Sequence, residues 1–386
     1  MTLRSSSPSC AQPRTTNPRP VADDRHWMQR ALELAARGLG NTWPNPAVGC
    51  VIVRDGALLG EGWTQPGGRP HAEVHALSDI DASGATAFVT LEPCSHHGQT
   101  GPCAEALIAA GIARVVVSRE DPDPRVSGRG CAMLKAAGVT IETGLEAAAA
   151  TRCNVGFISR IERGRPWLTL KLATSLDGRI ALQNGQSRWI TGPEARAEVH
   201  RMRAQSDGIM IGAGTARADD PRLDVREGAK TPRPPVRIVM DPNLSTPATG
   251  QLIQTAATQP VGLLHGPQAA TSGRDHPGVR RLEVQMRERL LDPDDALKVL
   301  GAAGLTRVLC EGGGRLAASL LASGLVDELV LMMAGKVIGG DGTAAVGPMG
   351  AVDLASVPQL TLVEHRQLGA DLMSRWVNRA TDLPHP

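Results

Sequence analysis

Strand-like and helix-like segments alternate along most of this 386-residue chain, and that alternation is the feature that most limits its fold. Apolar runs rich in Val, Ile and Leu, such as VRIVMD and TRVLC, are typical of buried strands. The Ala-rich and amphipathic segments between them are typical of helices that cover a sheet. Such alternation predicts α/β layers, and the length of the chain predicts two or three domains.

The alternation occurs in two series, which are separated by the charged stretch Gly156–Pro166. The first series opens with a helix that Asp23-Asp24 is expected to cap, and it continues with two strands joined at Asp55-Gly56, a hairpin signal. No internal repeat relates the two series. We therefore predict a disordered extension rich in Ser, Pro and Thr at 1–21, one α/β domain at 22–164 and a second at 165–380.

Three metal-binding side chains occur in the first series. His71 opens a helical segment, Cys94 follows a proline, and Cys103 falls in the first turn of the next predicted helix, where the helix dipole favours a thiolate. A catalytic zinc takes three protein ligands and keeps a fourth position for water. The sequence thus predicts one zinc ion per chain on His71, Cys94 and Cys103. Glu73, two residues after His71, is then expected to be the catalytic proton shuttle.

This arrangement matches the H-x-E and P-C-x-x-C signature of zinc-dependent nucleobase deaminases, except that eight residues instead of two separate the cysteines. A core histidine and two buried thiols are the structural alternative. His75, one helical turn after His71, is expected to be structural because a further protein ligand would close the open position. His96 and His97 lie between the two thiols, where simple solvation and a substrate contact both stay open.

The composition weighs against two other kinds of protein. A nucleic-acid deaminase with an accessory domain would need a basic, aromatic path, whereas this chain has a net charge of +2, six Trp, two Phe and no Tyr. A non-catalytic zinc-stabilised module would use four protein ligands. No apolar run reaches the length of a membrane span, and no apolar signal-peptide core is present, so no membrane partner is expected. Seven irregularly spaced cysteines favour the reducing cytoplasm.

The second series lacks the G-x-G-x-x-G motif of a standard dinucleotide site. Instead, Glu311–Arg315 places three glycines between the strand TRVLC and a helix, where backbone N–H groups can approach a phosphate. Gly212–Thr215 follows another strand in the same way, although such glycines also form plain turns. Arg203 and Arg226 are candidates to hold a substrate phosphate, because a guanidinium can donate two hydrogen bonds to it, and solvated surface charges are the alternative.

Five motifs carry a resemblance to a known family: NPAVG from Asn45, PHAEVHAL from Pro70, TLEPCSHHGQTGPC from Thr90, LKLATSLDGRIA from Leu170 and CEGGG from Cys310. Over about residues 22 to 378, and in this order, the chain resembles bifunctional riboflavin-biosynthesis enzymes. These enzymes join a diaminohydroxyphosphoribosylaminopyrimidine deaminase to a 5-amino-6-(5-phosphoribosylamino)uracil reductase. The resemblance implies a cytidine-deaminase-like α/β/α sandwich followed by a dihydrofolate-reductase-like α/β domain.

The resemblance also implies two consecutive reactions on a small phosphoribosyl pyrimidine. Zinc-dependent hydrolysis would remove the 2-amino group, and NADPH would then reduce the ribosyl chain to a ribityl chain. We expect a homo-oligomer, either a dimer or a tetramer, with no nucleic-acid partner. Asn45 matches a position that contacts the pyrimidine in related deaminases, and a turn residue before Pro46 is the equally supported alternative.

Further contacts follow from the resemblance. In the second domain, the implied cofactor contacts are Ala173, Trp189, Thr215, Asp219, Gly313, Gly314, Arg315, Leu316, Ala317, Ala318 and Ser319. The implied substrate contacts there are Ser187, Arg203, Leu223, Arg226 and Glu311. Lys171, a polar residue in an otherwise apolar strand, is expected to be a further substrate contact in the cleft.

Overall fold

The computed structural model of the protein describes residues 21–98, 101–226, 228–229, 231–270 and 275–379. Most strands belong to two sheets, one of five strands and one of nine. The predicted disordered extension lies outside the described residues, except for Val21, which begins the first helix. No helix in the described part of the chain is long and apolar enough to cross a membrane.

The five-stranded sheet has the order β2-β1-β3-β4-β5. Its strands are β1 (Gly49–Arg54), β2 (Ala57–Trp63), β3 (Thr86–Val89), β4 (Arg114–Val117) and β5 (Thr140–Thr143). Its helices are α1 (Val21–Ala36), α2 (Ala72–Ala76), α3 (Cys103–Ala109), α4 (Arg129–Ala136) and α5 (Ala147–Arg163). Strands β1 and β2 form the hairpin predicted at Asp55-Gly56, and β3, β4 and β5 are parallel.

Alternating side chains of the first sheet are buried on opposite faces, as the period of a strand requires. Cys50 and Ile52 of β1 join one apolar cluster with side chains of α2, α3 and α4, whereas Val51 and Val53 join another with α1. The sheet is therefore covered on both faces. This three-layer arrangement confirms the predicted α/β/α sandwich.

The nine-stranded sheet has the order β11-β10-β9-β8-β14-β6-β15-β18-β17, and it is parallel from β11 to β15. Its strands are β6 (Trp167–Thr174), β8 (Gly208–Gly212), β9 (Val236–Met240), β10 (Val261–His265), β11 (Val279–Glu283), β14 (Arg307–Cys310), β15 (Glu328–Met333), β17 (Leu360–Leu368) and β18 (Asp371–Asn378). Two short pairs join β7 (Arg179–Ala181) to β16 (Thr343–Ala344) and β12 (Met286–Arg287) to β13 (Leu290–Leu291).

Helices also cover both faces of the second sheet. They are α6 (Pro193–Ala204), α7 (Ala213–Asp219), α8 (Gln251–Gln254), α9 (Pro293–Ala302) and α10 (Gly314–Ala322). Apolar side chains of α9 and α10 share one cluster with the strands, while those of α6, α7 and α8 belong to clusters with other strand residues. Antiparallel β17 and β18 form a pair at the C-terminal end of the described chain.

One detail of the sequence analysis is wrong. Asp24 does not cap α1, because the helix already begins at Val21, and its carboxylate instead accepts hydrogen bonds from Arg114 at 3.1 and 2.5 Å. Most of the charged stretch Gly156–Pro166 is helical, because α5 continues to Arg163. Its cations contact the second domain: Arg160 donates to the carbonyl of Gly301, and Arg163 and Arg165 pair with Asp327.

Candidate active sites

The three predicted zinc ligands meet at the helix starts of the first domain. His71 immediately precedes α2, and Cys103 is the first residue of α3, as predicted. His71 Nδ1 lies 3.2 Å from Cys103 Sγ and 3.6 Å from Cys94 Sγ, and one donor atom from each residue lies within 4.8 Å of the others. Tetrahedral zinc at its usual bond lengths separates such ligand atoms by roughly 3.5 Å. The geometry and the chemistry of the donors therefore fit zinc.

The two thiols share a proton in this arrangement. The pKa of Cys94 is lowered to about 4, because Cys103 donates a hydrogen bond to its sulfur and His71 adds another. The backbone N–H of Cys103 also donates to Cys94 Sγ at 3.3 Å. The pKa of Cys103 is raised by the same hydrogen bond to Cys94 and by burial. One thiolate is thus already favoured, and zinc binding would release the proton of the other thiol.

Glu73 lines the same cavity as His71 and Cys94, and only 4% of its surface is exposed. Burial raises its pKa to about 7, and the negative charge of Cys94 adds to the rise. A carboxyl group with this pKa can both accept and return a proton near neutrality. The residue is therefore suited to the shuttle role that the sequence predicts.

The cavity of the first domain has a volume of about 100 Å³. Of the residues considered in the sequence analysis, Asn45, His71, Glu73, Cys94 and His96 line it. Asn45 Nδ2 donates to the carbonyl of Gly68 at 3.3 Å, a contact that suits both its turn role and a place in the wall.

Two histidines near the predicted zinc ligands contact other residues. His75 Nδ1 lies 3.1 Å from Gln65 Nε2, and its ring meets Trp63 edge to face, which agrees with a structural role. His97 is 72% exposed and lies 3.5 Å from Glu105.

Five charged residues of the cavity wall were missed by the sequence analysis: Arg69, Glu92, Asp121, Asp123 and Arg125. The signal that could have found the two aspartates is their position shortly after β4, because the carboxyl ends of parallel strands meet at one edge of a sheet. Asp121 is buried, which raises its pKa to about 6.

A larger cleft of about 490 Å³ lies in the second domain, where the segments that follow β6, β8 and β14 meet. Ten of the predicted contacts line it: Lys171, Ala173, Ser187, Trp189, Arg203, Thr215, Asp219, Arg226, Glu311 and Gly313. Thr191, Arg196 and His200 also line it but were missed, because they lie on or near α6, whose sequence has no motif. Residues that are distant in the sequence, from Lys171 to Gly313, thus line one cleft.

A buried charge cluster forms one wall of this cleft. Glu311 accepts hydrogen bonds from Arg203 Nε at 2.6 Å and Nη2 at 3.0 Å, and Lys171 Nζ lies 4.0 Å away. Burial alone would raise the pKa of Glu311, but Arg203 and Lys171 outweigh it and lower that pKa to about 2. Arg203 Nη1 also donates to the carbonyl of Asp224 at 3.0 Å. The guanidinium of Arg203 thus faces protein acceptors within the cleft wall, and its contact with a substrate phosphate stays a prediction.

The glycine-rich segment opens α10. Gly313 is the N-cap of that helix, and a Cβ built on Gly314 would lie 2.6 Å from the carbonyl oxygen of Ala344. Seven of the predicted contacts do not line the cleft: Leu223, Gly314, Arg315, Leu316, Ala317, Ala318 and Ser319. Leu223 and Ala317 are buried in apolar clusters and Ala318 is also buried, so their side chains are withdrawn from a ligand in the cleft.

Two family sequence models match the chain. The model for the cytidine and deoxycytidylate deaminase zinc-binding region matches residues 21–119, and the RibD C-terminal domain matches residues 166–374. A curated relative, the riboflavin biosynthesis protein RibD of Escherichia coli strain K12, is 43% identical over 363 residues, which cover 90% of this chain and 98% of the relative. The corresponding protein of Haemophilus influenzae is 40% identical, over 91% of this chain and 96% of its own length.

Solved structures of RibD proteins are also similar to this chain. Acinetobacter baumannii RibD has 38% identity and a TM-score of 0.85, and the match covers 93% of this chain and 99% of that one. A Thermotoga maritima diaminohydroxyphosphoribosylaminopyrimidine deaminase/5-amino-6-(5-phosphoribosylamino)uracil reductase has 30% identity and a TM-score of 0.82, over 92% and 99%. The chain therefore belongs to the RibD family, the bifunctional zinc-dependent deaminases and NADPH-dependent reductases of riboflavin biosynthesis.

Proposed function

We propose that the first domain, residues 22–164, deaminates the phosphoribosyl pyrimidine in the cavity at His71. The observation that carries this proposal is the convergence of His71, Cys94 and Cys103 at the wall of a cavity that His71, Cys94 and Glu73 line. These three residues would hold zinc, which supplies Lewis acidity and lowers the pKa of water when it is bound.

Glu73 moves the protons of this hydrolysis. Its carboxylate accepts a proton from the attacking water and delivers it to the departing amino group, so that a C–O bond forms, the C–N bond breaks and ammonia leaves. A pKa of about 7 before zinc binds supports this exchange, and a nearby dication would favour the carboxylate further. The dry surroundings of Glu73 strengthen its interaction with the reacting atoms.

We propose that the second domain, residues 165–380, reduces the deaminated product in the 490 Å³ cleft. NADPH supplies the hydride when it is bound there. The backbone at Gly313, at the N-terminus of α10, is suited to hold its pyrophosphate. Arg226 has a side chain 57% exposed beside Asp224, and it is the cation best placed to receive the substrate phosphate.

The charge cluster of the cleft orients the other end of the substrate. Arg203 fixes the Glu311 carboxylate with two hydrogen bonds, and Lys171 adds a donor on the same side. Glu311 can therefore accept hydrogen bonds from the pyrimidine or the sugar without turning toward solvent. Buried charges held in this way are preorganised for the transition state.

The boundary of the two domains, the cellular location and the assembly are also proposals. Gly164 has a φ of 69° and ends α5 three residues before β6 begins, which supports the boundary.

Cytoplasmic location is supported by the free thiols among the described residues, which are Cys50, Cys94, Cys103, Cys131, Cys153 and Cys310. A homo-oligomer, as a dimer or a tetramer, is supported by apolar side chains exposed on the β17–β18 pair, and light scattering would test it.

One experiment separates the two activities. The purified protein receives the diamino phosphoribosyl pyrimidine without NADPH, and ammonia is measured. It then receives the deaminated compound with NADPH, and the absorbance of NADPH is followed. We expect ammonia in the first reaction and NADPH oxidation in the second. Absence of ammonia from zinc-loaded protein would contradict the deaminase proposal.

A further inference from the structure

The deaminase cavity is too small to enclose its whole substrate. Its volume of about 100 Å³ is below the roughly 300–1,000 Å³ of sites that bury a complete ligand. The pyrimidine must reach the zinc ligands, so the phosphoribosyl group lies toward the mouth of the cavity. A phosphate there carries negative charge, and it requires a positive partner on the rim.

One side of the cavity is unsuitable for a phosphate because it is acidic. Glu92, Asp121 and Asp123 lie there. The carboxylate of Glu92 accepts hydrogen bonds from the backbone N–H groups of Asp121, Gly128 and Cys131 at 2.9–3.3 Å. Asp121 Oδ1 accepts from the backbone N–H of Asp123 at 2.9 Å. These contacts fix the acidic side in place.

Arg125, on the acidic side, is already neutralised. Its Nε lies 3.0 Å from both carboxylate oxygens of Asp123, and its Nη2 lies 2.5 Å from one of them. Its side chain is also 73% exposed. If a phosphate displaced Asp123 from Arg125, the buried carboxylate of Asp123 would lie next to the phosphate, and the two negative charges would repel each other.

Arg69 is the other cation of the cavity wall, and it also makes a contact within the protein. It is half-buried, it lies two residues before His71, and its backbone is extended at φ −147° and ψ 147°. Its Nη2 would lie 3.3 Å from a Cβ built on Gly98, so the glycine leaves room beside the guanidinium in the loop between the two thiols.

The segment that carries Arg69 is held firmly. Gln65 N donates to the carbonyl of Pro70 at 3.1 Å, and Gly68 N donates to the carbonyl of Gln65 at 2.8 Å. Asn45, itself in the cavity wall, donates to the carbonyl of Gly68 at 3.3 Å. A cation on such a segment can be held at a fixed position relative to the zinc ligands.

We propose that Arg69 binds the 5′-phosphate of the deaminase substrate and thereby selects the phosphorylated compound over its dephosphorylated form. A guanidinium donates two parallel hydrogen bonds to a phosphate, which suits this task. This inference rests on the proposed deaminase function. It makes Arg69 a specificity-determining residue that takes no part in proton transfer.

The test compares two substrates on wild type and four variants of the full-length, zinc-loaded protein. The substrates are the diamino phosphoribosyl pyrimidine and the same compound after phosphatase treatment, with ammonia release as the assay. Arg69→Gln should raise KM for the phosphorylated compound about 10- to 100-fold, because a charge-assisted hydrogen-bond pair is lost, and should leave kcat within about threefold. With the dephosphorylated compound, wild type and Arg69→Gln should have the same kcat/KM within about threefold. For the phosphorylated compound, the KM of Arg69→Lys should lie between those of wild type and Arg69→Gln.

Two controls keep the result interpretable. Arg54→Gln removes a cation from the far end of β1, roughly 20 Å along the strand from the cavity, and should change neither substrate's KM. Arg125→Gln tests the other rim cation. Zinc content measured on every variant shows that the site is intact.

The possible outcomes separate this inference from the function on which it rests. If wild type releases no ammonia from either compound, the deaminase function itself fails. If wild type is active and Arg69→Gln has an unchanged KM, or loses the same activity on both compounds, Arg69 does not bind the phosphate. A rise of KM for the phosphorylated compound in Arg125→Gln alone would also overturn the proposal.

Discussion

Replacement of Glu73 by Gln is the sharpest perturbation of the deaminase site. The two side chains have nearly the same volume, and Glu73 is only 4% exposed, so the change leaves no cavity. Burial is the main cause that raises the pKa of Glu73 to about 7, which means that the folded protein disfavours the charged form. A neutral amide at this position should therefore not lower the melting temperature at pH 7.

The catalytic effect should be large. A positioned acid–base group contributes about 10²–10⁴-fold, which corresponds to roughly 3–5 kcal/mol of transition-state stabilisation. We expect Glu73→Gln to lose ammonia release by this factor while it keeps its zinc and oxidises NADPH normally with the deaminated compound. Glu33→Gln, an exposed replacement of the same kind on α1, is the matched control.

The pH dependence supplies a second readout of the same prediction. The active form of Glu73 is the carboxylate, so kcat/KM for ammonia release should fall as the pH drops through the pKa. That pKa is about 7 without zinc and lower once zinc is bound. The acidic limb should disappear in Glu73→Gln. Ammonia release within a few fold of wild type, or an unchanged acidic limb in the variant, would refute the shuttle role.

Three further predictions concern the metal, the cleft and the domains. Cys103→Ser should lose most of its zinc in elemental analysis, because two of three ligands remain; full occupancy would contradict the ligand set. Gly313→Val should raise KM for NADPH, because the added side chain keeps the cofactor away from the backbone. Arg226→Ala should instead raise KM for the phosphorylated substrate about 10- to 100-fold. If both variants raised KM for NADPH equally, the cleft would not have separate cofactor and phosphate sides. Residues 22–164 alone should fold, bind zinc and deaminate, with a lower melting temperature because the contact of Arg163 with Asp327 at 2.8 Å is lost; an insoluble product would refute the boundary.

Local chemistry made much of this structure predictable from sequence. The Asp55-Gly56 turn between apolar strands and the start of α3 at Cys103 depend on neighbouring residues, and both are confirmed. The cluster of His71, Cys94 and Cys103 was predictable because these residue types are specific and two of them lie at helix starts. The fold class was predictable for the same reason, since strand and helix periodicity are local properties.

What could not be predicted depends on distant parts of the chain. Arg203 faces Glu311, which is 108 residues away, and no local pattern shows that this guanidinium meets a protein carboxylate. Arg163 and Arg165 pair with Asp327, which is 164 and 162 residues away, and no local pattern of the charged stretch before Pro166 predicts this partner. Arg69 lacks a motif of its own, and the folded cavity alone brings it beside Gly98.

Removal of zinc, followed by both assays on the same sample, tests most directly whether one chain carries two separate chemistries. The chelated protein should release no ammonia from the diamino phosphoribosyl pyrimidine, because His71, Cys94 and Cys103 have lost their metal. It should still oxidise NADPH with the deaminated compound, since the cleft at Glu311 contains none of these ligands. Added zinc should restore ammonia release. If both activities fell and recovered together, or if ammonia release survived chelation, the assignment of the two reactions to these two sites would be contradicted.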